Sequence, residues 1–179
     1  MKRVLLGALI GSLLATPALA ELKPGDAAPV FTAPATLAGK EFTFSLADKL
    51  KDGPVVLYFY PAAFSSGCSI EAHEFAEATD RFKTLGATVI GVSSDKIDVL
   101  DKFSTADCQS KFALAADPDL KVAKSYDAVL TKMLGYADRT SYVITPDGKI
   151  LYSYSAMDPD KHVENTMAAL EKWKAGQKS

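Results

Sequence analysis

The sequence has few cysteines, no basic cluster and only one long apolar run, and each shortage excludes a class of protein. Cys68 and Cys108 are its only cysteines, too few for a small domain held together by disulfides. Its 20 Lys and Arg are balanced by 22 Asp and Glu, for a formal net charge of −2. Nothing in this charge pattern suggests nucleic acid or an anionic membrane as a partner.

The one long apolar run lies at the N-terminus and has the features of a secretory signal peptide. Basic residues in MKR precede the apolar segment VLLGALIGSLLA, and ALA at 18–20 is a small-x-small cleavage site. The apolar segment is shorter than the roughly 20 residues that a membrane-spanning helix requires. The sequence therefore predicts a signal peptide over 1–20 and an exported, most simply periplasmic, domain over 21–179 with no stable membrane association.

Beyond the signal peptide, the patterns alternate between strands and helices, in a length sufficient for one domain with its own core. Continuous or alternating apolar residues predict strands at 40–46, 54–60, 87–93 and 111–117 and a hairpin over 141–155. Helical spacing and caps predict helices over 68–86, over 95–106, from Asp117–Pro118 onward and from Asp158–Pro159 to Gly176. This order predicts a thioredoxin-like α/β domain, a central mixed sheet with helices on both faces.

Cys68 lies where a strand ends and a helix begins, in the segment FYPAAFSSGCS at 59–69. Open α/β sheets place their sites at the carboxyl ends of strands. Ser65 or Ser66 is positioned to cap the helix, and Gly67 permits a tight turn. Cys68 then falls in the first helical turn, where unpaired N–H groups and the helix dipole favour a thiolate. A reactive thiol is therefore favoured over a small buried hydrophobe.

Two charged residues bear on that thiol. Glu71 shares the helix face of Cys68, three residues on, and its negative charge would disfavour a thiolate. Arg139 precedes the strand SYVIT and is the candidate cation that would offset Glu71. Neighbouring strands of one sheet can bring Arg139 to the same end as Cys68.

Several other polar and aromatic residues have simpler interpretations. The acidic residues within 71–80 form the solvent-facing side of their helix, and His73 lies on its surface. His162 is a residue of the last helix, and neither histidine has a partner at metal-ligand spacing. The aromatic residues at 58–60 belong to the sheet core, with Tyr60 expected at the edge of a pocket beside Cys68.

The segment around Cys68 resembles the active-site segment of the peroxiredoxins, in which Pro, three residues, Thr or Ser and two more residues precede Cys. Here the matching residues are Pro61, Ser65 and Cys68. Four further segments resemble the family in the same order: KPGDAAPVF, VIGVSSD, DPDLKVAKSYDAV and DRTSYVITPDGKI. The last of these corresponds to the segment with the family's active-site arginine, here Arg139. The similarity is greatest to the bacterioferritin-comigratory (PrxQ-type) branch.

The resemblance implies that Cys68 is the peroxidatic cysteine, which attacks a hydroperoxide and becomes a sulfenic acid. Ser65 would hydrogen-bond the thiolate or the peroxide, and Arg139 would stabilise the thiolate and the leaving oxygen. Backbone N–H groups at Gly67 and Cys68 would hold the peroxide, and Pro61 would shield the pocket from water. No metal or organic cofactor is required.

The second cysteine departs from a common pattern of that branch. Many PrxQ-type proteins have a cysteine five residues after the first, where this chain has His73. Cys108, in the polar setting TADCQSK near the end of the helix at 95–106, is the resolving candidate, and that setting argues against simple core packing. The resemblance implies a cycle through a Cys68–Cys108 disulfide, reduced by thioredoxin or another thiol. Branch members are often monomers, so a monomer is expected.

Two alternatives to the peroxidase remain at the level of sequence. One is an exported thiol–disulfide oxidoreductase, although such proteins usually present Cys-x-x-Cys and here Ser65 occupies the first of those positions. The other is a non-catalytic domain held by a structural Cys68–Cys108 disulfide, which would not need Pro61, Ser65 or Arg139. Rapid loss of a stoichiometric peroxide on mixing would favour the peroxidase over both.

Overall fold

The computed structural model describes residues 21–130 and 135–177, so the predicted signal peptide over 1–20 lies outside the described residues. In the described ranges, no helix combines the length and apolar character needed to cross a bilayer. The strands are β1 (Thr32–Leu37), β2 (Lys40–Ser45), β3 (Val55–Phe59), β4 (Thr88–Ser93), β5 (Ala113–Ala116), β6 (Thr140–Ile144) and β7 (Ile150–Ser155). The helices are α1 (Leu46–Asp52), α2 (Ser66–Thr84), α3 (Ile97–Ala106), α4 (Lys121–Ser125) and α5 (His162–Gly176), the last preceded by a 3₁₀ turn (Pro159–Lys161).

The seven strands form one mixed sheet in the order β2-β1-β5-β4-β3-β6-β7. Strands β3, β4 and β5 are parallel, as helical crossovers between them require. Strand β6 runs antiparallel to β3, with Thr140 opposite Phe59. The last residue of β3 therefore lies beside the first residue of β6. This pairing brings the segments that follow β3 and precede β6 to one end of the sheet.

Helices cover both faces of the sheet and divide the core in two. Alternate residues of β3 point to opposite sides because the side-chain period of a strand is two. Leu57 and Phe59 join a cluster with α1 and α4, whereas Tyr58 joins a cluster with α2, α3 and α5. Both cysteines belong to the second cluster. The predicted mixed sheet with helices on both faces is confirmed.

The helix predicted to start at Asp117–Pro118 begins later, at Lys121. The backbone N–H of Asp117 donates to the carbonyl of Ser93 at 2.8 Å, which holds Asp117 at the end of the sheet. A turn through Leu120, in the left-handed region at φ 54°, must reverse the chain before a helix can form. The Asp117 carboxylate reaches past this turn and accepts from the N–H of Ala123 at 2.8 Å.

Candidate active site

The loop between β3 and α2 is fastened at several points. The N–H of Tyr60 donates to the carbonyl of Val92 at 3.1 Å and extends the sheet by one residue. The N–H of Ala63 donates to the carboxylate of Asp95 at 2.7 Å, and the Ser93 hydroxyl donates to the same Asp95 oxygen at 2.9 Å. Sequence reasoning missed Asp95, whose bond spans 32 residues and has no local signal.

Cys68 is the third residue of α2, in the predicted first turn, and 1% of its surface is exposed. The Nη2 group of Arg139 donates to the Cys68 Sγ atom at 3.4 Å. The expected approach of Arg139 to Cys68 is therefore present, produced by the β3–β6 pairing. A positive charge beside the sulfur and the N-terminal end of a helix both favour the thiolate form.

The Arg139 guanidinium is held in place by several acceptors. Its Nε donates to the carbonyl of Met157 at 3.0 Å, and its Nη1 contacts the Gly67 carbonyl at 3.5 Å. Nη1 also donates to the carboxyl group of Glu71. Burial disfavours the charged guanidinium, but the contacts with Glu71 and Cys68 raise the pKa of Arg139. The group therefore stays positive inside the protein.

Gly67 leaves room for Arg139. A Cβ atom at position 67 would lie 3.1 Å from Arg139 Nη2, closer than side chains normally approach. The predicted role in a tight turn is wrong, because Gly67 lies within α2 and does not have a positive φ. The guanidinium therefore occupies space that a side chain at position 67 would narrow.

Glu71 is buried, so its placement on the solvent-facing side of the helix is wrong. None of its surface is exposed, because it follows Cys68 by three residues and faces the same interior. Arg139 supplies the partner that a buried carboxyl requires. Burial raises the pKa of Glu71 to about 8, against the opposing effect of Arg139. Since this favours the protonated acid near neutral pH, Glu71 opposes the Cys68 thiolate less than the sequence suggested.

Ser65 does not cap α2 with its side chain. It has the extended backbone of an N-cap residue, but its hydroxyl donates back to the carbonyl of Ala62 at 2.9 Å. The capping prediction for Ser65 is therefore wrong, since that hydroxyl is already engaged. The backbone N–H groups in the first turn of α2 remain without a side-chain cap.

Tyr60 and Pro61 follow β3 directly. Tyr60 is buried, and its ring packs against Tyr58 at 5.4 Å and Phe103 at 5.8 Å between centroids. It shares the core cluster of Cys68, as expected of a residue in the sheet core. Pro61 is half-buried at the start of the loop that leads to Ser65.

Cys108 follows α3 and is packed in the core, contrary to the prediction from its polar neighbours. None of its surface is exposed, and it shares the cluster of Cys68. Gln109 and Ser110 are in the left-handed region, at φ 49° and 58°, and this turn lets polar neighbours face outward while Cys108 points inward. Burial, followed by the charge of Asp107, raises the pKa of the Cys108 thiol well above its usual range.

The two cysteine segments lie side by side, and both thiols are free. The hydroxyl of Ser69 donates to the Asp107 carboxylate at 3.3 Å, so the residues that follow Cys68 and precede Cys108 are in contact. One turn further on, the Gln109 amide donates to Nδ1 of His73 at 2.9 Å. His73 is exposed, as predicted. The start of α2 and the end of α3 therefore share an edge.

His162 is the functional candidate that sequence reasoning treated only as part of a helix. It is fully buried, and its Nδ1 lies 3.6 Å from Oε1 of Glu71. The two residues are 91 positions apart, and the packing of α5 on α2 joins them. No local pattern could have revealed this contact.

Comparisons with known proteins identify the family and the fold of this chain. The profile of the AhpC/TSA family matches residues 24–153. The chloroplastic peroxiredoxin Q of Oryza sativa subsp. japonica is 32% identical over 152 residues, covering 84% of this chain and 68% of that protein. The crystal structure of peroxidoxin BcpB from Mycobacterium tuberculosis has a TM-score of 0.77 and 31% identity, covering 84% of this chain and 97% of that one.

A more distant structure shares the fold alone. The reduced 2-Cys peroxiredoxin of Plasmodium vivax is 20% identical, with a TM-score of 0.78 over 87% of this chain and 99% of that one. The predicted thioredoxin-like fold is thus confirmed by structures at both levels of identity. With a family profile that covers most of the chain and relatives above 30% identity, the chain belongs to the AhpC/TSA family and is a thiol-dependent peroxidase of the peroxiredoxin type.

Proposed function

We propose that Cys68 is the peroxidatic cysteine of this enzyme and that Cys108 resolves its oxidised form. The observation that carries the first assignment is the 3.4 Å contact between Arg139 Nη2 and Cys68 Sγ at the start of a helix. The thiolate attacks the terminal oxygen of a hydroperoxide, and the O–O bond breaks. Cys68 becomes a sulfenic acid, and the other oxygen leaves as water or an alcohol after taking a proton from solvent.

Arg139 and the start of α2 form the proposed peroxide site. The guanidinium stabilises the thiolate and the negative charge that develops on the leaving oxygen. Backbone N–H groups at Gly67 and Cys68, in the uncapped first turn, hold the peroxide. Ser65 joins them when its hydroxyl turns from the Ala62 carbonyl toward the peroxide.

The surrounding residues limit access to the thiol. Pro61 shields the peroxide from bulk water where the chain leaves β3, and Tyr60 closes the inner side of the site. Exclusion of water strengthens the attraction between Arg139 and the developing charge.

In the second step the Cys108 thiol attacks the sulfenic sulfur of Cys68, a disulfide forms and water leaves. The contact between Ser69 and Asp107 supports this pairing because it joins the immediate neighbours of the two cysteines. Cys108 must first leave the core, where burial keeps it protonated. The left-handed pair Gln109–Ser110 makes this segment costly to hold in its folded conformation, which favours its opening.

The disulfide is then reduced by two electrons and two protons from an external thiol. A thioredoxin-like protein is the proposed donor, since a dithiol returns both cysteines to the free state in one exchange. The signal-like N-terminus supports the periplasm or an equivalent exported compartment as the proposed location of enzyme and donor. The enzyme acts as a monomer that does not associate stably with the membrane.

The test is to mix the reduced protein over residues 21–179 with one equivalent of hydrogen peroxide and to follow peroxide and protein mass together. Wild type should consume the peroxide within seconds and become two hydrogens lighter. Cys108→Ser should consume one equivalent and stop one oxygen heavier. If Cys68→Ser consumes peroxide as fast as wild type, the assignment of Cys68 is wrong. If wild type also stops one oxygen heavier, Cys108 does not resolve Cys68.

A further inference from the structure

A carboxyl group and an imidazole face each other in the interior behind Cys68. Oε1 of Glu71 lies 3.6 Å from Nδ1 of His162, and both side chains are fully buried. The other carboxyl oxygen of Glu71 accepts from Arg139, which in turn contacts Cys68. A continuous buried chain of ionisable groups therefore runs from the thiol through Arg139 and Glu71 to His162.

The hydrogen bonds of His162 determine which ring nitrogen carries a hydrogen. Nε2 lies 3.0 Å from the carbonyl oxygen of Ala156, and a carbonyl can only accept. Nε2 therefore donates in every protonation state of the ring. In the neutral ring Nδ1 is then an acceptor, and the hydroxyl of Ser141 lies 2.8 Å from it.

Glu71 Oε1 is left in an unfavourable position unless a proton lies near it. Among the described residues it has no hydrogen-bond partner, although it is buried. As a carboxylate oxygen it would lie buried without a donor, because Nδ1 of the neutral ring, 3.6 Å away, carries no hydrogen and its lone pair is engaged by the Ser141 hydroxyl. One proton on Glu71 Oε1 removes this buried charge, and one proton on His162 Nδ1 places an opposite charge beside it while the Ser141 hydroxyl turns to accept.

The same proton balances the buried charges when Cys68 ionises. A Cys68 thiolate and a Glu71 carboxylate around one Arg139 guanidinium have a net charge of −1, which burial makes costly. One proton on Glu71 or His162 makes the group neutral. Arg139 can then direct its charge to the thiolate instead of dividing it between two anions.

We propose that Glu71 and His162 hold one shared proton in the reduced enzyme, and that this proton keeps the Arg139 charge available to the Cys68 thiolate. The proposal rests on the assignment of Cys68 as the peroxidatic cysteine. Glu71 and His162 are positioning residues here, because they act on Cys68 through Arg139 and do not contact the peroxide.

The surroundings of the pair agree with a single shared proton. Burial raises the pKa of Glu71 and lowers that of His162, so the proton resides mainly on Glu71 and a second proton is disfavoured. The titratable and charged groups that act on the two from neighbouring elements are Glu74 of α2, Tyr58 of β3, Asp138 and Arg139 before β6, Tyr154 of β7 and Asp158 after β7.

The proposal predicts a fall in peroxide reactivity on the alkaline side. As pH rises through the titration of the pair, the shared proton leaves and Glu71 becomes a full competitor for Arg139. The rate constant of Cys68 should therefore decrease near pH 8, the range in which Glu71 ionises. A peroxidase with no such proton would show only the rise due to ionisation of its thiol.

The kinetic test measures the rate constant for hydrogen peroxide by stopped flow between about pH 6 and about pH 9. In Glu71→Gln the amide carries a fixed hydrogen, so the alkaline fall should disappear. In His162→Gln the proton acceptor is lost and the amide can donate to the Glu71 carboxylate. The fall should therefore move to lower pH by about one unit, with a loss of about twofold at pH 7.

Met167→Leu is the matched control, since it changes a buried residue of α5 without altering an ionisable group. It should keep the wild-type shape of the profile. The shared proton is excluded if Glu71→Gln retains the alkaline fall of wild type, or if wild type itself shows no alkaline fall. This outcome is distinct from failure of the proposed function, in which Cys68→Ser would still react with peroxide.

A second measurement is decided on the reduced wild type, before any variant is compared. The chain has two histidines, so nitrogen NMR of the reduced wild type resolves two imidazole rings, with exposed His73 as the reference signal. His162 should show a protonated Nε2 and an Nδ1 resonance that shifts near pH 8. In Cys68→Ser that midpoint should move to lower pH, because the thiolate no longer favours retention of the proton. An Nδ1 resonance that is constant with pH would overturn the proposal.

Discussion

Cys68 and Cys108 are almost equally buried, yet the groups around them differ. Cys68 lies in the first turn of α2 with Arg139 Nη2 at 3.4 Å. Cys108 follows the last turn of α3, beside Asp107, and the pKa of its thiol is raised by burial. The helix dipole therefore favours a thiolate at the first position and disfavours it at the second.

The comparison shows that burial alone does not decide the chemistry of a thiol. Both side chains contribute to one apolar cluster. The differences are the end of the helix at which each lies and the sign of the nearest charge. These differences support the proposed order, in which Cys68 reacts first and Cys108 reacts only after its segment opens.

Removal of the Arg139 cation should abolish the difference in reactivity between Cys68 and Cys108. In Arg139→Met the rate constant with hydrogen peroxide should fall by about 10²–10³-fold, because the thiolate and the leaving oxygen lose their positive partner. The matched control is Arg81→Met, which changes an exposed arginine of α2, the helix of Cys68; Arg81 pairs with Glu171 at 3.2 Å, and its replacement should leave the rate unchanged. Stopped-flow kinetics would measure both, and equal losses in the two variants would refute the assigned role of Arg139.

Alkylation at neutral pH should reveal the difference in reactivity between the two thiols directly. Iodoacetamide should modify Cys68 about 10²-fold faster than Cys108 in the reduced, folded protein, because it reacts with thiolate and burial keeps Cys108 protonated. Peptide mass spectrometry at successive times would give both rates. In denaturant the rates should converge, and faster labelling of Cys108 in the folded protein would contradict the comparison.

Glu71 should also make the stability of the folded protein depend on pH. Its pKa of about 8 in the folded state exceeds the ordinary 4.5. Its contribution to the free energy of unfolding is therefore fully present below pH 4.5 and is lost as pH rises through 8. Between about pH 6 and about pH 8, the free energy of unfolding of wild type should fall by about 2 kcal/mol relative to Glu71→Gln. Urea unfolding of the reduced proteins measures this difference.

Met167→Leu serves as the reference for this measurement, since it should change stability by the same amount at both pH values. A difference between wild type and Glu71→Gln that does not vary with pH would mean that the buried carboxyl is not protonated in the folded protein.

The smallest effect is expected where the two cysteine segments meet. Ser69→Ala removes the hydrogen bond to Asp107, which contributes about 0.5–1 kcal/mol to holding the end of α3 in place. Without this bond the segment of Cys108 opens more readily, so the disulfide step should be about two- to fivefold faster. The mass shift after peroxide addition gives this rate. Thr105→Ala is the control, because the bonds of that hydroxyl stay within α3. A slower disulfide step in Ser69→Ala would indicate that this contact brings the cysteines together.

Much of the fold could be predicted because its signals are local. The continuous apolar run of β3 and the helical spacing of α2 identified both elements and placed Cys68 in the first helical turn. Strand β1 escaped prediction because it contains Pro34, which is tolerated since β1 pairs with β5 only at Ala35 and Thr36. Helix α1 has only seven residues and was missed for lack of a repeated apolar period.

The site was predicted less completely, because polar side chains have partners that the local sequence does not name. Glu71 looked like one of several acidic residues on a solvated helix face, but Arg139 from 68 positions away lies against it. Ser65 looked like a cap, but its hydroxyl binds the loop behind it. Cys108 looked polar from its neighbours, although the turn after α3 directs it into the core.

The sequence by itself determined which residue is the nucleophile candidate and which family the chain resembles. Spacing of Pro61, Ser65 and Cys68 and the change from strand to helix are properties of a short segment, set by local backbone preferences. Only the tertiary structure decided the charge environment of the thiol. The pairing of β3 with β6 brings Arg139 to Cys68, and the packing of α5 brings His162 to Glu71. Electrostatic interactions depend on distance in space and on burial, and neither can be read from positions along the chain.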